Sequence, residues 1–203
     1  MRNIVTVIGH PLEGSLVHAL AARYVQAARA QGAAVEVIDL AVEEFELSPR
    51  ASRDELRART PDQLATKGDA IRRMVQKVQA ADHIAVVHPS WWGTYPAVLK
   101  GFIDRVFMSG VAFEYGDGPT DWKRLFAGKT ARILTTMDSP VWFNRWWYRD
   151  PSANSLKYPV FWYVGVKTVG VTKFAGVRFS TEEARARWLE KAARLGTKDA
   201  GRR

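Results

Sequence analysis

The sequence predicts one α/β domain built on a doubly wound, five-stranded parallel sheet. Five short runs rich in β-branched residues alternate with segments of helical periodicity, the pattern of repeated strand–helix units. The central runs are continuously apolar rather than alternating, as strands covered on both faces are. No linker, internal repeat or shift in composition divides the 203 residues, of which 47% are hydrophobic and 25% charged. The expected domain covers residues 1–196, and 197–203 is expected to be a disordered tail.

The first strand is Asn3 to Gly9 (NIVTVIG), broken by His10 to Gly14. Ser15 starts a helix whose apolar positions include Leu16, Ala19, Leu20, Tyr24 and Ala27. A helix N-terminus directly after a first strand is a natural anion site, since its free N–H groups and dipole favour negative charge. Ser15 adds a hydroxyl donor there. With neither GxGxxG nor a Walker motif, the dinucleotide and P-loop readings are weak. Gly32 stops the helix before a second strand, Ala34 to Leu40. Residues 41–68 are the least regular part, with Pro49, Pro61 and a short helix expected from Ser52 to Arg59. Such excursions serve as lids or subunit contacts. A helix from Pro61 or Asp69 to Ala80 then puts Ile71, Met74, Val75 and Val78 on one face.

The third strand, Ile84 to Val87, runs through the loop His88 to Thr94 into a helix with Pro96 in its first turn and Thr94 as cap. Val98, Leu99, Phe102, Ile103, Val106 and Phe107 share one face of it, with Lys100 and Asp104 opposite. This loop falls at the carboxyl edge of the sheet, where open α/β sheets bind ligands. It reads either as a ligand loop whose amides meet a planar polar group or as an ordinary turn with two core tryptophans. After a loop at Gly116 to Pro119, the fourth strand is Lys129 to Thr136. It ends at MDSPVWFNRWWYRDPS, a third loop on the same edge. Trp142, Phe143, Trp146, Trp147 and Tyr148 fit neither helical nor strand spacing, so this loop reads as the wall of a flat pocket or the seal of a subunit interface, with simple core as the alternative. A helix over Ala153 to Gly165, a strand over Lys167 to Val177 and a helix over Thr181 to Leu195, capped by Thr181 and ended by Gly196, complete the chain.

Composition excludes several chemistries. With no cysteine there is no disulfide, no thiolate nucleophile and no thiolate metal site. The four histidines have no zinc-ligand spacing, so no metal is expected. No Ser-His-Asp arrangement is readable, and the carboxylates form no evident pair. No apolar run approaches the roughly 18 residues of a membrane helix, and the N-terminus lacks the layout of a signal peptide. The expected location is cytoplasmic. The net charge of +9 arises after residue 120, where 17 Lys and Arg face 7 Asp and Glu, against 13 and 14 before it. These cations are scattered and accompany no nucleic-acid motif, so a solvated basic face is the better reading than a nucleic-acid surface. A chain without reactive groups of its own, yet with a flat crevice and an anion site, suits a cofactor that carries the chemistry.

The stretch from Ala85 to Tyr115 resembles the signature of the flavodoxin-like NAD(P)H:quinone oxidoreductases, the DT-diaphorase type and its bacterial relatives. Pro89, Trp92, Pro96, Ala97, Leu99, Lys100, Gly101, Phe102, Asp104, Arg105 and Val106 match that pattern. The resemblance extends over residues 1–178. It implies strand order 2-1-3-4-5, with ligand at the switch between strands 1 and 3. GHPLEGSLVHAL resembles the first cofactor loop, with His10, Ser15 and Leu16 on the phosphate side of a flavin, FAD or FMN; Val17 stands where the family often has Asn. Met137-Asp138 replaces a glycine pair, as in a bacterial branch with Thr-x-Asp-x-Pro.

By the same resemblance, Pro89, Ser90, Trp91, Trp92 and Gly93 meet the N5/O4 edge of the flavin, through the amides of the last three. Thr136, Met137, Asp138 and Ser139 meet the N1/O2 edge. Trp142, Phe143 and Trp146 border the substrate, and Tyr148 supplies a proton, orients substrate or belongs to an interface. The implied activity is hydride transfer from NAD(P)H through the flavin to a quinone-like acceptor. The alternatives are a flavodoxin-type electron carrier, disfavoured by the basic charge, and an ancillary flavoprotein on a membrane transporter such as a potassium-efflux system. The 41–68 excursion and the aromatic loop carry more apolar surface than a monomer comfortably exposes, so a homodimer is expected.

Overall fold

The computed structural model describes residues 1–48, 56–58 and 60–202. The strands are β1 (Asn3–Ile8), β2 (Ala34–Asp39), β3 (His83–Pro89), β4 (Phe113–Tyr115), β5 (Trp122–Arg124), β6 (Thr130–Met137) and β7 (Lys167–Ala175). The helices are α1 (Leu16–Ala30), α2 (Pro61–Ala65), α3 (Asp69–Ala80), α4 (Ala97–Val106), α5 (Val141–Trp146), α6 (Pro151–Leu156) and α7 (Glu182–Ala200).

Five strands form one parallel sheet in the order β2-β1-β3-β6-β7. The expected order 2-1-3-4-5 does not hold as a count along the chain. β4 and β5 intervene as a separate antiparallel hairpin where the sequence reads as helix end and loop. All five sheet strands end on one edge, shown by the registers Ile8↔Asp39, Pro89↔Thr136 and Met137↔Ala175. β3 is buried along its whole length, which explains its unbroken apolar character.

α3 and α4 cover one face of the sheet and α1 and α7 the other, each over its own hydrophobic cluster. Gly9 is required where β1 leaves the sheet: a Cβ there would press on Leu99 and His88. The Lys100–Asp104 pair lies on the wet side of α4, as its spacing predicts. No helix among the described residues is long and apolar enough to cross a membrane.

Several expectations are corrected. The helix expected from Ser52 to Arg59 falls largely outside the described residues. The 61–80 segment is two helices, parted before Gly68, whose φ of 89° ends helical continuity. Pro96, not Thr94, occupies the cap position of α4. The aromatic stretch forms the short helix α5, because Pro140 presets its entry and Asn144 is the side that turns inward. The helix expected from Ala153 begins at Pro151 and loosens to π-helical turns over Lys157–Trp162, around Pro159.

The tail expected to be disordered is helical as far as Ala200. Gly196 does not end α7, which continues through Ala200. It lies where α7 crosses α1 so closely that a Cβ would collide with the Tyr24 carbonyl oxygen. Asp199, three residues further on, is completely buried. Its carboxylate accepts hydrogen bonds from Tyr24 Oη at 2.9 Å and Arg132 Nη2 at 2.8 Å, and also from Arg132 Nε. His83 Nε2 stands 3.3 Å from it. The end of α7 is therefore held by long-range charge pairing that its composition does not reveal.

Candidate functional site

Three loops at the carboxyl edge of the sheet enclose an open cleft of about 230 Å³, and they are the three loops the sequence singles out. His10, Ser15 and Leu16 line it from the first, Pro89, Ser90 and Trp91 from the second. Thr136, Met137 and Asp138 line it from the third, and Val177 closes it from the turn after β7.

The first loop leads into α1. Ser15 is the cap of this helix, its Oγ accepting the His18 amide. No acidic residue stands in the first turn, so the positive end of the helix is uncompensated. Ser15 Oγ also lies 2.7 Å from His18 Nδ1, and His18 Nε2 lies 3.2 Å from Asp39 Oδ1 at the end of β2. The His10 ring meets Trp91 edge-on at 5.4 Å. Partial burial, and secondarily the neighbouring His18, hold the His10 pKa below its ordinary value despite its bond to the Leu12 backbone.

The second loop is pinned at both ends. Ser90 donates its amide to the Thr136 carbonyl at 2.7 Å, and Trp91 and Thr94 exchange two backbone bonds of 2.9 Å. The Trp91 amide is thereby occupied, which corrects its expected role as a free donor. The Trp92 and Gly93 amides meet no backbone acceptor among the described residues. Trp92 has a φ of 50° and Gly93 one of 76°. The other non-glycine residues with positive φ among those described, Arg149 and Asp150, lie on the same edge of the molecule. Backbone strain of this kind collects at functional sites, where surrounding structure enforces it.

In the third loop Asp138 Oδ1 accepts the Arg178 amide at 2.8 Å, so this carboxylate ties the turn after β7 to the cleft. Ser139 follows outside the lining. The aromatic residues beyond it are largely open. Trp142, Trp146 and Trp147 are 65%, 76% and 75% exposed, around Phe143, whose ring meets Trp142, Trp147 and Tyr148. These side chains do not line the cleft; they border the same edge. The segment is anchored from beneath by residues that sequence reasoning missed. Buried Asn144 donates to Asp150 at 2.6 Å, and Lys173 of β7 pairs with the same carboxylate.

His18 and Asp39 were also missed. The Ser15–His18 spacing of one helical turn was available as a signal, but the third member arrives through the β1–β2 register. Beneath the second loop, His88 is fully buried, with Nδ1 3.0 Å from the Pro89 carbonyl. Desolvation lowers its pKa to about 4, so it is neutral near pH 7.

The site offers a helix N-terminus with no acidic residue in its first turn and a serine hydroxyl beside it, which together favour an anion, and a strained loop with two amides that meet no backbone acceptor among the described residues. These features define a flavodoxin-like α/β protein. The family model described as flavodoxin-like fold matches residues 2–197. The chain belongs to that family, within the NAD(P)H:quinone oxidoreductase group. It is 30% identical over 196 residues to an uncharacterized NAD(P)H oxidoreductase of Haemophilus influenzae, covering 94% of this chain and 92% of the relative. It is 27% identical over 187 residues to an FMN-dependent NADH:quinone oxidoreductase of Ruegeria pomeroyi, covering 88% and 89%. The crystal structure of Smu.1420 from Streptococcus mutans superposes with a TM-score of 0.78 at 25% identity, over 98% of this chain and 100% of the other.

Proposed function

We propose that this protein is an FMN-dependent NAD(P)H:quinone oxidoreductase working by two alternating half-reactions in one site. The FMN dependence named for the Ruegeria pomeroyi relative supports the choice of flavin, as does a cleft that offers a single helix N-terminus for a phosphate. When bound, the flavin supplies hydride acceptance from a nicotinamide and hydride donation to a two-electron acceptor.

The observation that carries this reading is the pair of Trp92 and Gly93 amides, which meet no backbone acceptor among the described residues and directly follow Pro89, Ser90 and Trp91 of the cleft lining. Such fixed donors stabilise negative charge that develops on a ring edge, and they need no reorganisation. Ser15 and the first amides of α1 hold the phosphate. Met137 and its neighbours border the opposite ring edge. Trp142, Phe143 and Trp146 border the space above, where a flat acceptor displaces water, and Tyr148 orients that acceptor. The larger apolar groove of about 440 Å³, between the end of α4, β4 and the π-helical turns, supports a homodimer. Phe107, Phe113 and Val160 line that groove.

The test is a visible spectrum of the purified protein, identification of the released flavin, and NADPH- or NADH-driven reduction of a quinone. FMN release with turnover is the expected result. A colourless protein that neither binds FMN nor turns over would overturn the reading.

A further inference from the structure

Ser15, His18 and Asp39 form a hydrogen-bonded series leading away from the cleft. His18 Nδ1 is 2.7 Å from Ser15 Oγ, and its Nε2 is 3.2 Å from Asp39 Oδ1. The His18 and Asp39 side chains are 15% and 23% exposed, so bulk water does not replace either partner freely. The titratable groups facing His18 are Asp39, from the end of β2, and His10, whose ring lies 6.0 Å away.

Proton counting decides what Ser15 can do. An ionised carboxylate only accepts, so Asp39 fixes the single proton of neutral His18 on Nε2. Nδ1 is then a bare acceptor, and the Ser15 hydroxyl proton goes to it. The serine, also accepting the His18 amide at 3.4 Å, has no proton left for an anion in the cleft. Protonating His18 reverses this. Both ring nitrogens then donate, Nε2–H to Asp39 and Nδ1–H to Ser15 Oγ, and the Ser15 O–H is released toward the helix N-terminus. The imidazolium also adds a positive charge where a phosphate would sit.

We propose that His18 is a positioning residue for the flavin phosphate, and that FMN binds with uptake of one proton by His18. The proposal rests on the FMN reading above and deepens it. One solvent proton adds to the ring, the Ser15 proton changes acceptor, and no other bond forms or breaks. Because binding takes up a proton, FMN should be held more tightly at lower pH and released as pH rises. The ionisation of the phosphate near pH 6 has the opposite sign, since the dianion suits the helix terminus better, and the two effects are separable.

The experiment uses the full chain loaded with FMN and reads the fluorescence of released flavin on dilution between pH 6 and 9. The wild type should weaken by about tenfold for each pH unit over which a whole proton is taken up. His18→Asn, which keeps a permanent N–H donor toward Ser15 but does not titrate, should lose that slope and retain affinity at high pH. Riboflavin, lacking the phosphate, should show no slope with either protein. Circular dichroism checks the variant for folding. Equal slopes in the wild type and His18→Asn, or the same slope with riboflavin, would overturn this inference alone. Absence of any FMN binding would overturn the proposed function as well.

Discussion

At the amino-terminal edge of the sheet the fully buried Asp199 is closed in by Arg132, Tyr24 and His83, drawn from β6, α1 and β3. At the carboxyl edge, tryptophans stand open, Trp92, Arg149 and Asp150 hold positive φ, and the Trp92 and Gly93 amides meet no backbone acceptor among the described residues. The same β6 strand supplies both ends: Arg132 near its start and Thr136 and Met137 at its finish. Charge at the first end is paired within the protein, which burial requires. Donors at the second are unpaired, which is useful only where a ligand completes them. Stability is concentrated at one edge so that the other can remain incomplete.

The largest test of that contrast is Asp199→Asn. It leaves the buried Arg132 guanidinium without its counter-charge and should destabilise the fold by about 3–5 kcal/mol, read from urea midpoints. Removing residues 197–203 should do at least as much. A loss below about 1 kcal/mol in both would mean that the amino edge is not the structural end.

The next test is pH. Burial raises Asp199, but the hydrogen bonds from Arg132 and the adjacent His83 ring outweigh this and hold it well below the usual carboxylate range. Its contribution is present above the unfolded carboxylate pKa and lost as pH falls below about 4. His88 acts earlier. Its folded pKa of about 4 lies below the unfolded value of 6.5, so the unfolded chain takes up a proton first and stability declines between those pH values. The size is about 3 kcal/mol. Burial lowers His83 as well, with the same sign. His88→Leu should flatten its share of this limb and leave the steeper loss below pH 4. An unchanged limb would show that His88 is charged in the folded protein.

Gly93→Pro addresses the carboxyl edge directly. Proline removes an unpaired amide and cannot adopt a φ of 76°. Stopped-flow reduction by NADPH should slow by about 100-fold or more, with circular dichroism unchanged. Trp91→Phe should be much milder, since its amide already bonds Thr94 and the apolar wall is largely kept. Equal rates for wild type and Gly93→Pro would return this loop to an ordinary turn.

The smallest effect is expected from Ser15→Asp. It sets a negative charge at the positive end of α1 and should weaken FMN binding by about 1–2 kcal/mol, measured as a dissociation constant. Unchanged affinity would place the phosphate elsewhere.

The amino-acid sequence by itself determined the five sheet strands, the helices that cover them and the three cleft loops. These depend on local signals: runs of β-branched residues, helical spacing, and breaks at glycine and proline. It also determined Ser15 as a cap, because a serine before an apolar periodic segment fixes the end of a helix. Only the tertiary structure decided the rest. Gly196 reads locally as a stop, yet it is there so that α7 can cross α1, and the helix continues to bury Asp199. Asp39 becomes a partner of His18 only because β2 lies beside β1. Lys173 reaches Asp150 only because β7 lies beside β6. Local propensity acts over a few residues, whereas buried charge pairs and strained loops are enforced by neighbours distant in the chain, so no spacing in the sequence records them.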